Sequence, residues 1–236
     1  KTTPYATLND VPKDVLTQIL LNHVVSGNVK STDLTTGYIK TLAKGTASST
    51  NNLSMFVNTA SGVKLNGVAT VTTANVMASN GVIHVVDKVI GLPTIVTHAT
   101  ANPNFTSLVG ALTGAGQPDF VSILSGTGPY TVFAPTNDAF TALNTELAPG
   151  GIAGVSTANL TKVLTYHVAN GNVLAASLTE GQMVATLQTP QKFTVQLTGG
   201  AKIKDVNNRI STIVATDVQC SNGVIHVLNK VLLPTF

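Results

Sequence analysis

At 236 residues, 43% hydrophobic and 10% charged, the chain holds enough apolar material to bury real cores and too little charge for a disordered segment. Its thirteen Lys and Arg against ten Asp and Glu leave a net charge of +3, and the basic residues are scattered, which argues against the clustered footprint of a nucleic-acid binder. The longest apolar runs, such as Val82–Val86 and Val224–Leu228, are interrupted by His and fall far short of the roughly 20 residues needed to span a bilayer, so no membrane insertion is expected.

In chain order, Lys1-Thr2-Thr3-Pro4 has no apolar leader run, which leaves export open. Val15, Leu16, Ile19, Leu20, His23 and Val24 recur at helical spacing; Asn9 or Asp10 before Pro12 reads as the start of that helix, and Ser26-Gly27 as its left-handed stop. Lys64–Val76 reads as a strand, and Asn80-Gly81 as a tight hairpin leading into a second strand. On that second strand Val82, His84, Val86 and Lys88 share one face, with Ile83, Val85, Asp87 and Val89 on the other. Leu92-Pro93 closes this stretch.

Beyond it, Phe105, Leu108, Val109 and Leu112 predict a helix, Phe120, Val121 and Leu124 a second apolar segment, and YTVFAPTNDAF (130–140) a strand, turn and helix. Thr136, Asn137 and Asp138 at that junction have the chemistry of a helix cap. Ser156 or Thr157 opens another helix with Leu160, Val163, Leu164, His167 and Val168, stopped by Asn170-Gly171. Lys202–Val218, Asn222-Gly223 and the strand to Leu232 repeat the earlier hairpin.

These likenesses are a true internal repeat. LTQILLNHVVSGNV, starting at Leu16, returns 144 positions later as LTKVLTYHVANGNV at Leu160, and NGVIHVVDKVI, starting at Asn80, returns 142 positions later as NGVIHVLNKVL at Asn222. Two tandem α+β units follow: residues 1–94, lacking the counterpart of the front half, and residues 95–236, complete. A unit without that half exposes core surface, so self-association, or supply of the missing piece by another chain, is expected.

YTVFAPTNDAF, LTYHVANGNV and NGVIHVLNKVLLP resemble, in order and spacing, three signatures of the fasciclin domain family; the first unit carries only the latter two. The resemblance implies a fasciclin-like fold, an antiparallel β sandwich or wedge covered by several helices, and a secreted, cell-surface or periplasmic protein of adhesion, matrix or biofilm type. Its partners would be proteins or glycans of a cell surface or matrix, with no nucleic acid and no cofactor.

The family's Tyr-His pair falls on Tyr166-His167, where the first unit has Asn22-His23, and its Asp-aliphatic pair falls on Asp217-Val218, where the first unit has Asn75-Val76. These four residues are the candidate adhesion contacts. Against that stands a structural reading, since both histidines lie on an apolar helix face and alternation in a strand explains Asp217 equally well. His84 and His226 have no neighbours at ligand spacing and read as structural, and Cys220 as a free buried thiol.

No catalytic or metal-binding residue is expected: GxSxG, HExxH, GxxxxGK[ST] and CxxC are all missing. Asn52, Asn104 and Asn159 fit the glycosylation pattern, at a frequency that chance also produces in so Asn- and Thr-rich a chain. The alternatives to adhesion are a structural spacer presenting some other binding segment and, last, a hydrolase.

Overall fold

A helix that must pack one side against a sheet needs apolar residues every three or four positions, and the two repeated segments meet that need as α1 (Lys13–Leu21) and α6 (Thr157–Tyr166). The computed structural model describes residues 7–236. Between and beyond these helices come β1 (Gly37–Gly45), β2 (Ser48–Asn58), β3 (Lys64–Leu65), β4 (Ala69–Ala78) and β5 (Gly81–Val86). They are followed by α2 (Ile95–Ala101), α3 (Thr106–Leu112), α4 (Phe120–Ser125), β6 (Tyr130–Pro135) and α5 (Asn137–Glu146). After α6 the chain forms β7 (Val168–Asn170), β8 (Met183–Ala185), β9 (Lys192–Gln196), β10 (Lys202–Lys204), β11 (Ile210–Cys220) and β12 (Gly223–Leu228).

The strands form two sheets, one of order β1-β2-β3-β4-β5 and one of order β7-β6-β12-β11-β10-β9-β8. Pairing is antiparallel except at one place: β6 runs parallel to β12, from Tyr130 opposite Gly223 to Pro135 opposite Leu228. The expected antiparallel architecture thus carries one parallel pair. The chain leaves β6 through α5 and α6 and reaches β12 only after all the other strands, so a long crossover, not a hairpin, joins the pair.

β6 separates two cores. Val132 and Ala134 join Phe105, Phe120, Phe140 and Ile225 on the helical side, while Phe133 points the other way into a cluster with Tyr166, Phe193 and Leu228.

Local details refine the sequence reading. Ser156 caps α6, its hydroxyl accepting from Asn159 N at 3.3 Å. Neither Asn9 nor Asp10 caps α1; Pro12 stands at that position, and Asp10 instead accepts from Thr7 N at 2.8 Å across a preceding 3-10 turn. Gly27 and Gly171 do adopt left-handed φ of +95° and +96°, but they lie in the loop beyond the helix ends, at Leu21 and Tyr166, so they are not helix caps. The hairpin loops are Ser79-Asn80 and Ser221-Asn222, with each glycine already in its strand.

The two sheets are fastened by the tip of the β1–β2 hairpin. Thr46 Oγ1 and Ala47 N both donate to Ser221 O at 2.9 Å, and Ser221 N donates to Pro93 O at 2.7 Å. Deeper in the junction Ser54 Oγ accepts from Gln219 N at 3.0 Å, and Lys40 Nζ donates to Ser54 Oγ and to Asp217 O.

A side chain on Gly45 would stand 2.4 Å from Ser221 Cα, where backbone cannot yield. Gly45→Ala is therefore expected to cost about 1–3 kcal/mol in urea unfolding and to speed amide exchange at Ala47. Unchanged stability with unchanged exchange at Ala47 would show that the hairpin tip is not docked.

Candidate interaction surface

The four predicted contact residues lie at the end of α6 and in β11 of the second domain, and their chemistry is directed inward. Tyr166 is fully buried; its hydroxyl donates to Lys192 O at 3.0 Å and accepts from Val206 N, and burial pushes its ionisation up to about 12. His167 is bonded through both ring nitrogens, Nδ1 to Val163 O at 2.7 Å and Nε2 from Leu232 N at 2.9 Å, which pins the end of α6 to the closing segment. His23 does the same in the first domain, with Ile19 O at 2.8 Å and Ile90 N at 3.0 Å. Val218 is buried in the helical-side core.

Asp217 sits at a strand irregularity with φ +56°, and its carboxylate accepts from Ala175 N at 2.8 Å. Asn75 repeats this with φ +60°, accepting from Ser31 N at 2.9 Å. Asn and Asp are the side chains that best tolerate the left-handed region and also cap a following or neighbouring turn, so the Asp-to-Asn difference between the copies preserves the structural task. Of the four candidates only Asp217 is partly exposed.

The second histidine of each unit is also a clamp. His84 Nε2 lies 2.9 Å from Val29 O and His226 Nε2 2.8 Å from Val173 O, each tying its strand to the loop after the left-handed glycine.

Under the domain junction Tyr38, Lys40, His98 and Cys220 are packed together. Burial pushes the Tyr38 hydroxyl and the Cys220 thiol up and Lys40 down, so that Cys220 stays a thiol and not the nucleophilic thiolate. Burial also holds His98 down to about 3. Among the described residues no group of three or more His, Cys, Asp or Glu is placed to hold a metal ion.

What sequence reasoning located only in outline is the surface that the first domain leaves open. Ile83, Val85 and Val76 are 54%, 45% and 42% exposed, whereas their counterparts Ile225, Val227 and Val218 are 1%, 7% and 3% exposed. On the opposite face of β5 lies a cavity of about 360 Å³, lined by Val82, His84, Val86, Met55, Leu65 and Ile90 among others. The cavity was not readable in the sequence, because it depends on how the strands and the loop after α1 pack together.

Comparison with known proteins adds three findings. The Fasciclin domain family model matches residues 1–93 and 103–234. Protein sll1483 of Synechocystis sp. is 41% identical over 143 residues, 60% of this chain and 73% of that protein; human periostin is 30% identical over 230 residues, 93% of this chain and 25% of periostin. The solved FAS1 domain pair from the insect cell adhesion molecule Fasciclin I superposes with a TM-score of 0.59 at 19% identity, covering 92% of this chain and 79% of that one, a likeness of fold.

His167 also generates a pH prediction. Burial foremost, then the charge of Arg209, outweighs its bond to Val163 and pushes it down to about 4, against an ordinary value near 6.5. A depressed value means that the unfolded chain binds the proton more readily, so the contribution of His167 is complete above pH 6.5 and is lost as pH falls towards 4. His167→Gln should therefore flatten the dependence of unfolding free energy on pH between 6.5 and 4, by about 3 kcal/mol accumulated over that window. An identical slope in the variant would mean that His167 is not held neutral.

Proposed function

Because the chain belongs to the fasciclin domain family, we propose that it is an adhesion module of the extracellular space, cell surface or periplasm that binds a protein or glycan of a surface or matrix and does no chemistry on it. The observation that carries this reading is the identical use of the histidines in both domains. Four of the five histidines are bonded to main-chain atoms of their own domain, which makes them parts of the scaffold. We take residues 1–94 and 95–236 as the two units.

Within the second unit we place the contact at the Asp217 irregularity, held by Ala175 N and His226 Nδ1, while Tyr166, His167 and Val218 serve the buried scaffold of the same unit. A spacer role is favoured by a different observation, the docking of the β1–β2 hairpin on Ser221, which fixes one domain against the other.

Binding of the purified chain to a panel of matrix proteins, glycans and intact cells separates the two. An adhesion module shows saturable binding that Asp217→Ala weakens tenfold or more and that Tyr166→Phe leaves within about threefold, since that hydroxyl does not face a partner. Replacing residues 95–236 by an inert module of equal length should abolish it. Binding that survives this replacement, or no binding to any panel member, would leave the spacer reading.

A further inference from the structure

The strand pairings of the two domains correspond position by position. The repeat offset of 142 carries Thr70 onto Thr212; the partners of these residues are Lys64 and Lys202, and the partners of those are Asn58 and Gln196. Two residues back along β2 and β9 stand Phe56 and Thr194, with Tyr38 and Met183 opposite them. Paired residues share a face, so these positions mark the same outer sheet face in either domain.

In the first domain that face is the seat of the second domain. Tyr38 packs edge-on against the His98 ring at 5.3 Å and accepts from Asn102 Nδ2 at 3.1 Å, and Ser54 Oγ accepts from Gln219 N. In the second domain the face is open among the described residues, with Met183, Lys192, Ile210 and Val214 exposed and Lys202 and Lys204 half-buried. Its chemistry also differs: Met183 stands for Tyr38, Thr194 for Phe56 and Lys192 for Ser54. Both aromatic rings are gone, and an ammonium, which can only donate, occupies the place where Ser54 accepts a main-chain N–H. The face therefore does not repeat the domain junction.

Three lysines stand in successive rows of it. Lys202 is opposite Gln196, Lys204 is opposite Thr194, and Lys192 lies two residues before Thr194 on β9, so the rows advance by about 7 Å along the strands. None of the three forms an ion pair among the described residues, whereas Arg209 and Lys230 are paired with Glu146. None of the outward residues of these rows is acidic. Asp205 is buried and accepts from Arg209 N and Leu233 N, and Glu180 at the rim accepts from Leu197 N and Thr198 N. Between the lysines Thr194, Gln196 and Thr212 supply hydroxyl and amide groups.

We propose that the outer face of β8, β9, β10 and β11 binds a linear acidic polysaccharide, with the anionic groups on Lys192, Lys202 and Lys204 and the sugar hydroxyls on Thr194, Gln196 and Thr212. Charge complementarity selects this partner: an evenly stepped row of unpaired cations fits a polymer with regularly spaced anions, and the neutral donors and acceptors between them fit sugar hydroxyls. The assignment rests on the adhesive reading for the kind of partner, a glycan of a surface or matrix, and goes beyond it in the chemistry of that glycan and in the face that holds it.

The test uses the whole chain and immobilised dextran sulfate, with dextran as the uncharged polymer of the same backbone, at about 150 mM salt. Dextran sulfate should bind saturably and dextran should not. The combined variant Lys192→Gln, Lys202→Gln, Lys204→Gln should bind dextran sulfate at least tenfold more weakly. Combining Lys13→Gln, Lys30→Gln and Lys88→Gln, at exposed positions of the first domain, removes the same charge and should leave binding within about threefold.

No binding of dextran sulfate, equal binding of dextran, or equal losses in the two combined variants would each overturn the proposal, the last by reducing the effect to overall charge. Tighter binding through the same lysines to phosphatidylserine vesicles than to dextran sulfate would make the face a lipid-surface site and overturn it as well. Asp217→Ala should leave dextran sulfate binding within about threefold, so that failure of the Asp217 contact and failure of this face are read separately.

Discussion

A strand buried on both faces needs apolar side chains at nearly every position and a hydrogen-bonding neighbour on each edge, since no water reaches its main chain. β6 satisfies both demands in the second domain: its residues alternate between two cores, and β7 and β12 flank it. Much of the remaining architecture follows from that placement. The helices α2 to α5 have a floor to pack on because β6 and β12 present Val132, Ala134, Ile225 and Val227 upwards, and the lower core closes because Phe133 fills its centre against Phe193. The first domain, whose β5 has no such neighbour, keeps five strands and the corresponding histidine bonds, but Ile83 and Val85 stand in solvent and Val82, Val86 and Leu65 line a cavity.

The bonds common to the two domains show what the repeated sequence protects. Each of His23, His167, His84 and His226 reaches a main-chain atom at nearly the same distance in either copy, and Asn75 and Asp217 each turn the chain through a left-handed irregularity while capping a neighbouring turn. Interactions aimed at backbone constrain only the residue that makes them, so the sequence around them can drift. That is why Asn22 can stand where Tyr166 stands: the position differs in what it bonds, while the histidine beside it does not.

Much of this was readable from the chain. The repeat, the α+β class, the family, the alternation on the closing strands and the structural character of the histidines all rest on periodicity or on spacing, which local sequence encodes. The parallel pairing of β6 with β12 was not, because strands separated by some ninety residues leave no local trace of their relative direction. The Gly27 and Gly171 turns were placed too early for a related reason: a left-handed glycine announces itself, but whether the helix has already ended is decided by where the chain must turn to reach the sheet. The orientation of the candidate contact residues depends on tertiary packing, and three of the four, Tyr166, His167 and Val218, are buried.

The junction between the domains has one further property. A protruding hairpin from the first domain meets the Ser221-Asn222 turn of the second, and the two surfaces are unlike each other. A contact between unlike surfaces has no twofold axis, so it possesses a direction. The tandem therefore has a front and a back set by its own fold, and a ligand held at one end meets a different surface from a ligand held at the other.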